Sequence, residues 1–313
     1  MKMLLKKITA LFCCGIILSA AGGCSVEDVN ENTVQSETVS AVNEASSSVK
    51  EEKMLHCTYY DFHNFNLHLS SAVTYDTDEE ILCGTIPHHL LAGNLIAGFM
   101  HTAALSREKT DTVVIAATMH FTENSPLCTS YLDWDTPFGT LECDESITSR
   151  FEQTMGAVTD DDMAELDHGI SALIPYVKYY FPDSEIAFLL IDNRASKNTP
   201  DTLSDLFTEI ASEKDCLFLF SADFSHYLEP HETELHDKQT LEAVMSWDFD
   251  TVASMTDSNV DSPYVLGTFM HLAEKTGREI TMLDHSNSLI LSGIPYSPSL
   301  FGEGLTSYYV FAS

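Results

Sequence analysis

The sequence is poor in positive charge: 15 lysines and arginines stand against 48 aspartates and glutamates, a formal net charge of −33. Such a chain has no basic surface with which to release counterions from a phosphate backbone, which excludes a nucleic-acid binder. The same charge repels anionic lipid headgroups. No Cys-x-x-Cys spacing occurs, which argues against a structural zinc cluster. A Gly-rich phosphate loop, a G-x-S-x-G elbow and an H-E-x-x-H helix are also missing. Nucleotide, serine-hydrolase and zincin chemistry therefore lack their usual signatures.

Long apolar runs are scarce as well. The one near the start, residues 8–21, is too short to span a bilayer stably. It follows Lys2, Lys6 and Lys7 and closes on Ala21-Gly22-Gly23-Cys24. This order of elements predicts a signal peptide over 1–23 ending in a lipobox, with Cys24 lipidated and the chain held outside the cytoplasm. Contact with the membrane is then through the Cys24 lipid only. Residues 25–53 contain no aromatic residue, proline or glycine. A segment of this kind cannot bury enough apolar surface to offset its ordering entropy, so 24–53 is expected to be a disordered tether. Its reach is about 30 Å by random-coil scaling.

What remains, 54–313, suits one large domain. Four apolar runs predict buried strands: 112–118 (TVVIAAT), 186–191 (IAFLLI), 216–221 (CLFLFS) and 306–312 (SYYVFA preceded by threonine). Helical patterns fall between them, near 94–105, 170–181, 202–212, 232–246 and 262–275. The alternation predicts an α/β fold with a mainly parallel central sheet flanked by helices. In an open parallel sheet the ligand crevice lies beyond the carboxyl ends of the strands. His120 follows one such end, and Asp223 and His226 follow another. Asp223 and His226 read as a hydrogen-bonded pair in a strand-to-helix turn, or as a buried pair that merely shapes it. Cys128 and Cys143 flank Asp135-Thr136-Pro137-Phe138-Gly139 almost symmetrically, so a disulfide across a hairpin is expected there.

Four motifs occur in order: Ile86-Pro87-His88-His89, Met119-His120, Asp167-His168-Gly169-Ile170-Ser171, and Ser221-Ala222-Asp223-Phe224-Ser225-His226-Tyr227. With the hairpin Thr136-Pro137-Phe138-Gly139 and the 32-residue interval from His88 to His120, they resemble the Memo family, whose bacterial branch is called AmmeMemoRadiSam system protein B. The resemblance covers roughly 80–311. It implies a fold similar to class III extradiol dioxygenases, with a metal or metal-like site on the cleft floor. Carried over residue by residue, it implies His88 and His120 as ligands and His226 as an acid/base with Asp223 beside it. His168 reads as a further cleft histidine and catalytic candidate, or as a helix-start residue.

The family's third ligand position is a cysteine before a helix, and counting back from Gly277 places Asp261 there. Two imidazoles and one carboxylate suit Fe(II) or another divalent ion. Asp261 reads equally well as an N-cap for the helix after Ser262. The family's Ala-Gly-Tyr after the first histidine is replaced by His89-Leu90-Leu91, which alters the cleft wall. Three functions compete: a metal-dependent oxidoreductase of unknown substrate, a lipid-tethered protein that binds a metal, peptide or small ligand without catalysis, and a metallohydrolase.

Overall fold

The computed structural model describes residues 53–121, 125–302 and 304–313; the expected signal segment, Cys24 and nearly all of the tether lie outside them. The centre is a nine-stranded mixed sheet. Its middle consists of four parallel strands in the spatial order Cys83–Ile86, Cys216–Ser221, Thr112–Thr118, Glu185–Ile191. The last strand, Leu305–Ala312, joins this core antiparallel to Cys83–Ile86 and carries Phe224–Leu228 and Thr281–Asn287, both antiparallel, beside it. At the other side Leu127–Thr129 runs antiparallel to Glu185–Ile191, and Val158–Thr159 closes the sheet.

The interiors of the parallel strands are mostly apolar and buried because both faces are covered. Their alternate side chains divide between two cores. Val113, Ile115, Ala117, Leu217 and Leu219 face one, packed with the helix Gly93–Ser106 and the helix Ile174–Tyr180. Val114, Ala116, Phe218 and Phe220 face the other, under the helices Thr199–Glu213 and Pro263–Lys275. A period of two within a fully buried run is what a strand between two helical layers requires.

Several expectations need correction. The helix foreseen over 170–181 is two, His168–Ser171 and Ile174–Tyr180, with Pro175 in the first turn of the second. Proline is tolerated there because first-turn amides have no intrahelical partner. Residues 223–226 do not enter a helix: Phe224–Leu228 is a strand, and the next helix begins at Pro230. The disulfide pairing also fails on topology. Cys128 pairs with Leu190, whereas Cys143 bridges to Ile186 on the same strand, and the hairpin Trp134–Thr136/Gly139–Leu141 belongs to a separate sheet. Four residues along a strand separate the two thiols by about 13 Å, beyond the roughly 7 Å that a bridge spans. Neither is in a disulfide.

The four parallel strands end at Ile86, Ser221, Thr118 and Ile191 on one edge. His88, His120 and Asp223 each follow one of these ends by two residues. The sheet therefore delivers the candidate groups to one place.

Candidate metal centre

His88 is buried, and its position is fixed from three directions. Its backbone N–H donates to Asp223 Oδ1 at 3.2 Å, and its Nδ1 lies 3.1 Å from Ser221 Oγ. The Ser221 hydroxyl donates its one hydrogen to the Gly169 carbonyl at 2.6 Å. It can then only accept from the ring, so Nδ1 carries the hydrogen and Nε2 keeps its lone pair. That Nε2 sits 3.4 Å from Asp261 Oδ2 and 3.6 Å from Asp223 Oδ2. Burial, and then the neighbouring histidines, hold His88 well below its ordinary pKa, which keeps the lone pair available.

His120 is oriented by a carboxylate. Asp167 accepts the His120 backbone N–H at 2.7 Å through Oδ2 and faces the ring Nδ1 at 2.8 Å through Oδ1. A carboxylate only accepts, so Nδ1 is the protonated nitrogen and Nε2 is the free one. Burial pulls the His120 pKa down, but the hydrogen bond to Asp167 and its charge outweigh this and leave it raised.

His168 opens the short helix His168–Ser171, which Asp167 caps by accepting the Gly169 N–H at 2.8 Å. Its ring stacks on His120 with centroids 3.8 Å apart and 30° between planes, and lies 5.2 Å from His88. Burial, then the charge on His120, lower its pKa to about 4. Gly169 makes this approach possible. A Cβ there would fall 2.4 Å from the Thr118 carbonyl oxygen and 3.3 Å from His120 Cε1.

One nitrogen each of His88, His120 and His168 lies within 4.8 Å of the other two. This set differs from the expected His88, His120 and Asp261 by exchanging Asp261 for His168. Asp261 is hydrogen-bonded to other partners. Its Oδ1 accepts from the Thr118 hydroxyl at 2.9 Å and its Oδ2 from the Asp223 N–H at 3.1 Å. It is not the helix cap either: Ser262 takes that role, its hydroxyl accepting from Val265 N. Burial raises Asp261 to about 7, with the charge of Asp223 adding to it, and raises Asp223 to about 6. The cluster floor thus carries two carboxyls that hold protons near neutrality.

His226 does not hydrogen-bond to Asp223. Its Nδ1 is buried with no partner, its N–H donates to Asp257 O at 2.7 Å, and burial lowers its pKa. The adjacent Tyr227 adopts a left-handed φ of 62°. Asp167 and Ser221, which set the tautomers of two cluster histidines, were visible in the motifs but carried no role in the sequence reading. The signal was the adjacency of Asp167 to His168 and the place of Ser221 at a strand end.

Converging imidazole nitrogens, with the tautomers of His88 and His120 set by Ser221 and Asp167, are suitable donors for a borderline divalent ion such as Zn, Fe, Ni or Cu. The fold and this cluster define an α/β protein with a three-histidine cleft able to hold a metal ion. The chain belongs to the Memo family: the family model described as Memo-like protein matches residues 46–297.

Relatives described as MEMO1 family proteins are similar over most of their length. The one from Pyrobaculum arsenaticum is 26% identical over 225 residues, 69% of this chain and 79% of the relative. That from Pyrobaculum aerophilum is 27% identical over 245 residues, 74% and 84%. That from Desulfurococcus amylolyticus is 28% identical over 239 residues, 72% and 81%. A solved structure of an uncharacterized protein from Escherichia coli K12 aligns with a TM-score of 0.49 and 13% identity, covering 75% of this chain and 100% of that one, a likeness too distant to bear on function.

Proposed function

We propose that this chain is an exported, lipid-anchored Memo protein whose cleft binds a divalent metal ion through His88, His120 and His168 and acts on a small molecule as a metal-dependent oxidoreductase. The observation that carries the metal reading is the convergence of three histidine nitrogens within 4.8 Å, together with Asp167 holding the His120 ring by Nδ1. Imidazole ligation with a carboxylate behind it is a recurrent arrangement at metal sites. When bound, the ion supplies Lewis acidity or electron exchange at an open coordination position.

The chain's own residues then do the rest. Asp261 and Asp223 form a floor that excludes water around His88 and can hold or release a proton near neutral pH. His226, whose pKa burial lowers, takes the acid/base role and exchanges a proton with the bound ligand. Export and anchoring are supported by the order Lys2, Lys6, Lys7, the apolar residues 8–21 and Ala21-Gly22-Gly23-Cys24.

Metal analysis of the purified protein tests the centre. Wild type is expected to retain about one equivalent of divalent metal, and His120→Ala and His168→Ala to lose it. Absence of metal from wild type, with no uptake on titration with Co(II) or Zn(II), overturns the proposal. Loss of turnover in His226→Ala at unchanged metal content separates an enzyme from a module that only binds. Mass spectrometry of the mature amino terminus reads the lipid on Cys24, and Cys24→Ser is expected to release the protein from membranes.

A further inference from the structure

Near the histidine cluster, on the far side of the Tyr59–His168 ring contact, lies a cavity of about 360 Å³ with a different chemistry. Its walls come from the loop before the helix Phe62–Ser71, from that helix, and from the start of Ile174–Tyr180. The aromatic rings of Tyr59, Tyr60, Phe65 and Tyr176 line it. Phe65 joins two of them at angles: its centroid is 5.5 Å from Tyr60 with 52° between planes, and 4.7 Å from Tyr176 with 44°. Tyr59 stands 38% exposed, its ring 5.9 Å from that of His168.

The charges around this cavity have one sign. Among the described residues no lysine or arginine lines it, and the carboxylate Asp61 does. Asp61 Oδ1 accepts the Asn64 N–H as the cap of the helix. The remaining wall histidine, His68, lies with Nδ1 2.6 Å from the Tyr176 hydroxyl, and burial lowers its pKa. Several cations elsewhere are held in ion pairs: Arg107 with Glu80, Lys214 with Asp144 and Lys275 with Asp201. An anionic ligand would find no cationic partner in the cavity and would face the charge of Asp61. A neutral hydrocarbon would satisfy the apolar walls but leave the carboxylate at the mouth unused. A cation with an apolar shell meets both, because the negative faces of aromatic rings attract it as well.

We infer that this cavity is a binding site for an organic ammonium ion, held against the rings of Tyr59 and Tyr60 with Asp61 at the mouth. The site is separate from the metal reading, since none of these groups belongs to the histidine cluster. Its position beside His168 makes the cleft a two-part site: an ammonium end in the aromatic cavity and a reacting end nearer the histidines.

Choline and its neutral carbon isostere, in which a tert-butyl group replaces the trimethylammonium, are the probes. Binding of each to the purified protein is followed by ligand-observed NMR titration. Choline is expected to bind at least about fivefold more tightly than the isostere, the range for a partly desolvated cation–aromatic contact. Tyr60→Leu keeps the apolar wall but removes the ring face, and is expected to abolish that preference, whereas Tyr60→Phe keeps it. Asp61→Asn retains the helix cap and loses the charge, so choline weakens about twofold at low salt while the isostere is unaffected. His120→Ala leaves both affinities unchanged, which distinguishes this cavity from the metal centre. Should Tyr60→Leu not fold, Tyr59→Leu serves in its place, because Tyr59 is the more exposed ring. Equal affinities in wild type, or a choline preference that survives loss of both rings, overturns the inference.

Discussion

Asp167 grips His120 with both carboxylate oxygens, one on the backbone N–H at 2.7 Å and one on ring Nδ1 at 2.8 Å. The residue that follows it, His168, stacks on the ring so held. One aspartate therefore fixes the rotation of one cluster histidine and the chain direction of another. Asp167→Asn preserves the shape but presents either an amide N–H or a single acceptor. The Nδ1–H tautomer of His120 is no longer enforced, and Nε2 is no longer reliably free. Metal affinity is expected to fall about 10–100-fold, as for other residues that orient a ligating histidine. Competition titration with a chromophoric chelator measures it; affinity within twofold of wild type removes Asp167 from this role.

Gly169 is the steric counterpart of that arrangement. In Gly169→Ala the new methyl meets the Thr118 carbonyl oxygen at 2.4 Å, which is backbone and cannot rotate away. Either the strand end or the short helix must move, and each carries a cluster histidine. Overpacking of this kind costs about 1–3 kcal/mol. The unfolding free energy from urea melts is expected to fall by that amount, with metal affinity falling in parallel. A variant as stable as wild type would mean that the segment His168–Ser171 is looser than its contacts imply.

The cluster was readable in sequence to the extent that parallel strands announce themselves. Residues 113–117 and 216–220 are apolar without interruption, and the rule that ligands gather beyond strand ends led directly to His120 and Asp223. The strand Cys83–Ile86 was not readable although it is central, because it is four residues long and contains a glycine. Gly84 is there for space: a Cβ would lie 2.4 Å from the Phe99 ring and 2.5 Å from the Phe311 carbonyl oxygen. Thr281–Asn287 escaped for the opposite reason, being half exposed and polar. Asp261 and His168 exchanged places because the ligand set depends on which carboxylate oxygens are already engaged. Spacing alone does not reveal that the Asp261 oxygens accept from Thr118 and from the Asp223 backbone.

The two cysteines once expected to pair make a sharp test of the sheet order. With Cys128 beside Leu190 and Cys143 beside Ile186, no rotamer brings the sulfurs together. The Cys143 thiol instead contacts the Ser130 carbonyl and the Thr148 hydroxyl, and burial pushes its pKa up to about 11. A non-reducing peptide map is expected to contain no linked 128–143 fragment, and the urea midpoint to be the same with and without reductant. A stability loss of about 2–4 kcal/mol on reduction, the usual worth of a disulfide, would contradict the assigned topology.

Acid sensitivity away from the cleft should centre on Asp144. This buried carboxylate caps the helix Glu145–Arg150 by accepting Ile147 N–H at 3.0 Å, and it also accepts from the Ser146 and Thr112 hydroxyls and from Lys214 Nζ at 2.6 Å. Burial works against its charge, but these donors, with Lys214 first, win and lower its pKa to about 2 from 3.8. The folded state thus binds the proton less readily than the unfolded chain. The stabilisation is complete above the unfolded-state value and is lost as pH falls from about 4 toward 2. The shift corresponds to about 2 kcal/mol. Asp144→Asn is therefore expected to lower stability by about that amount at neutral pH, and the gap from wild type to shrink steadily in urea melts taken between about pH 5 and pH 2.5. A gap that stays constant over that range would assign the loss to altered packing rather than to the charge of Asp144.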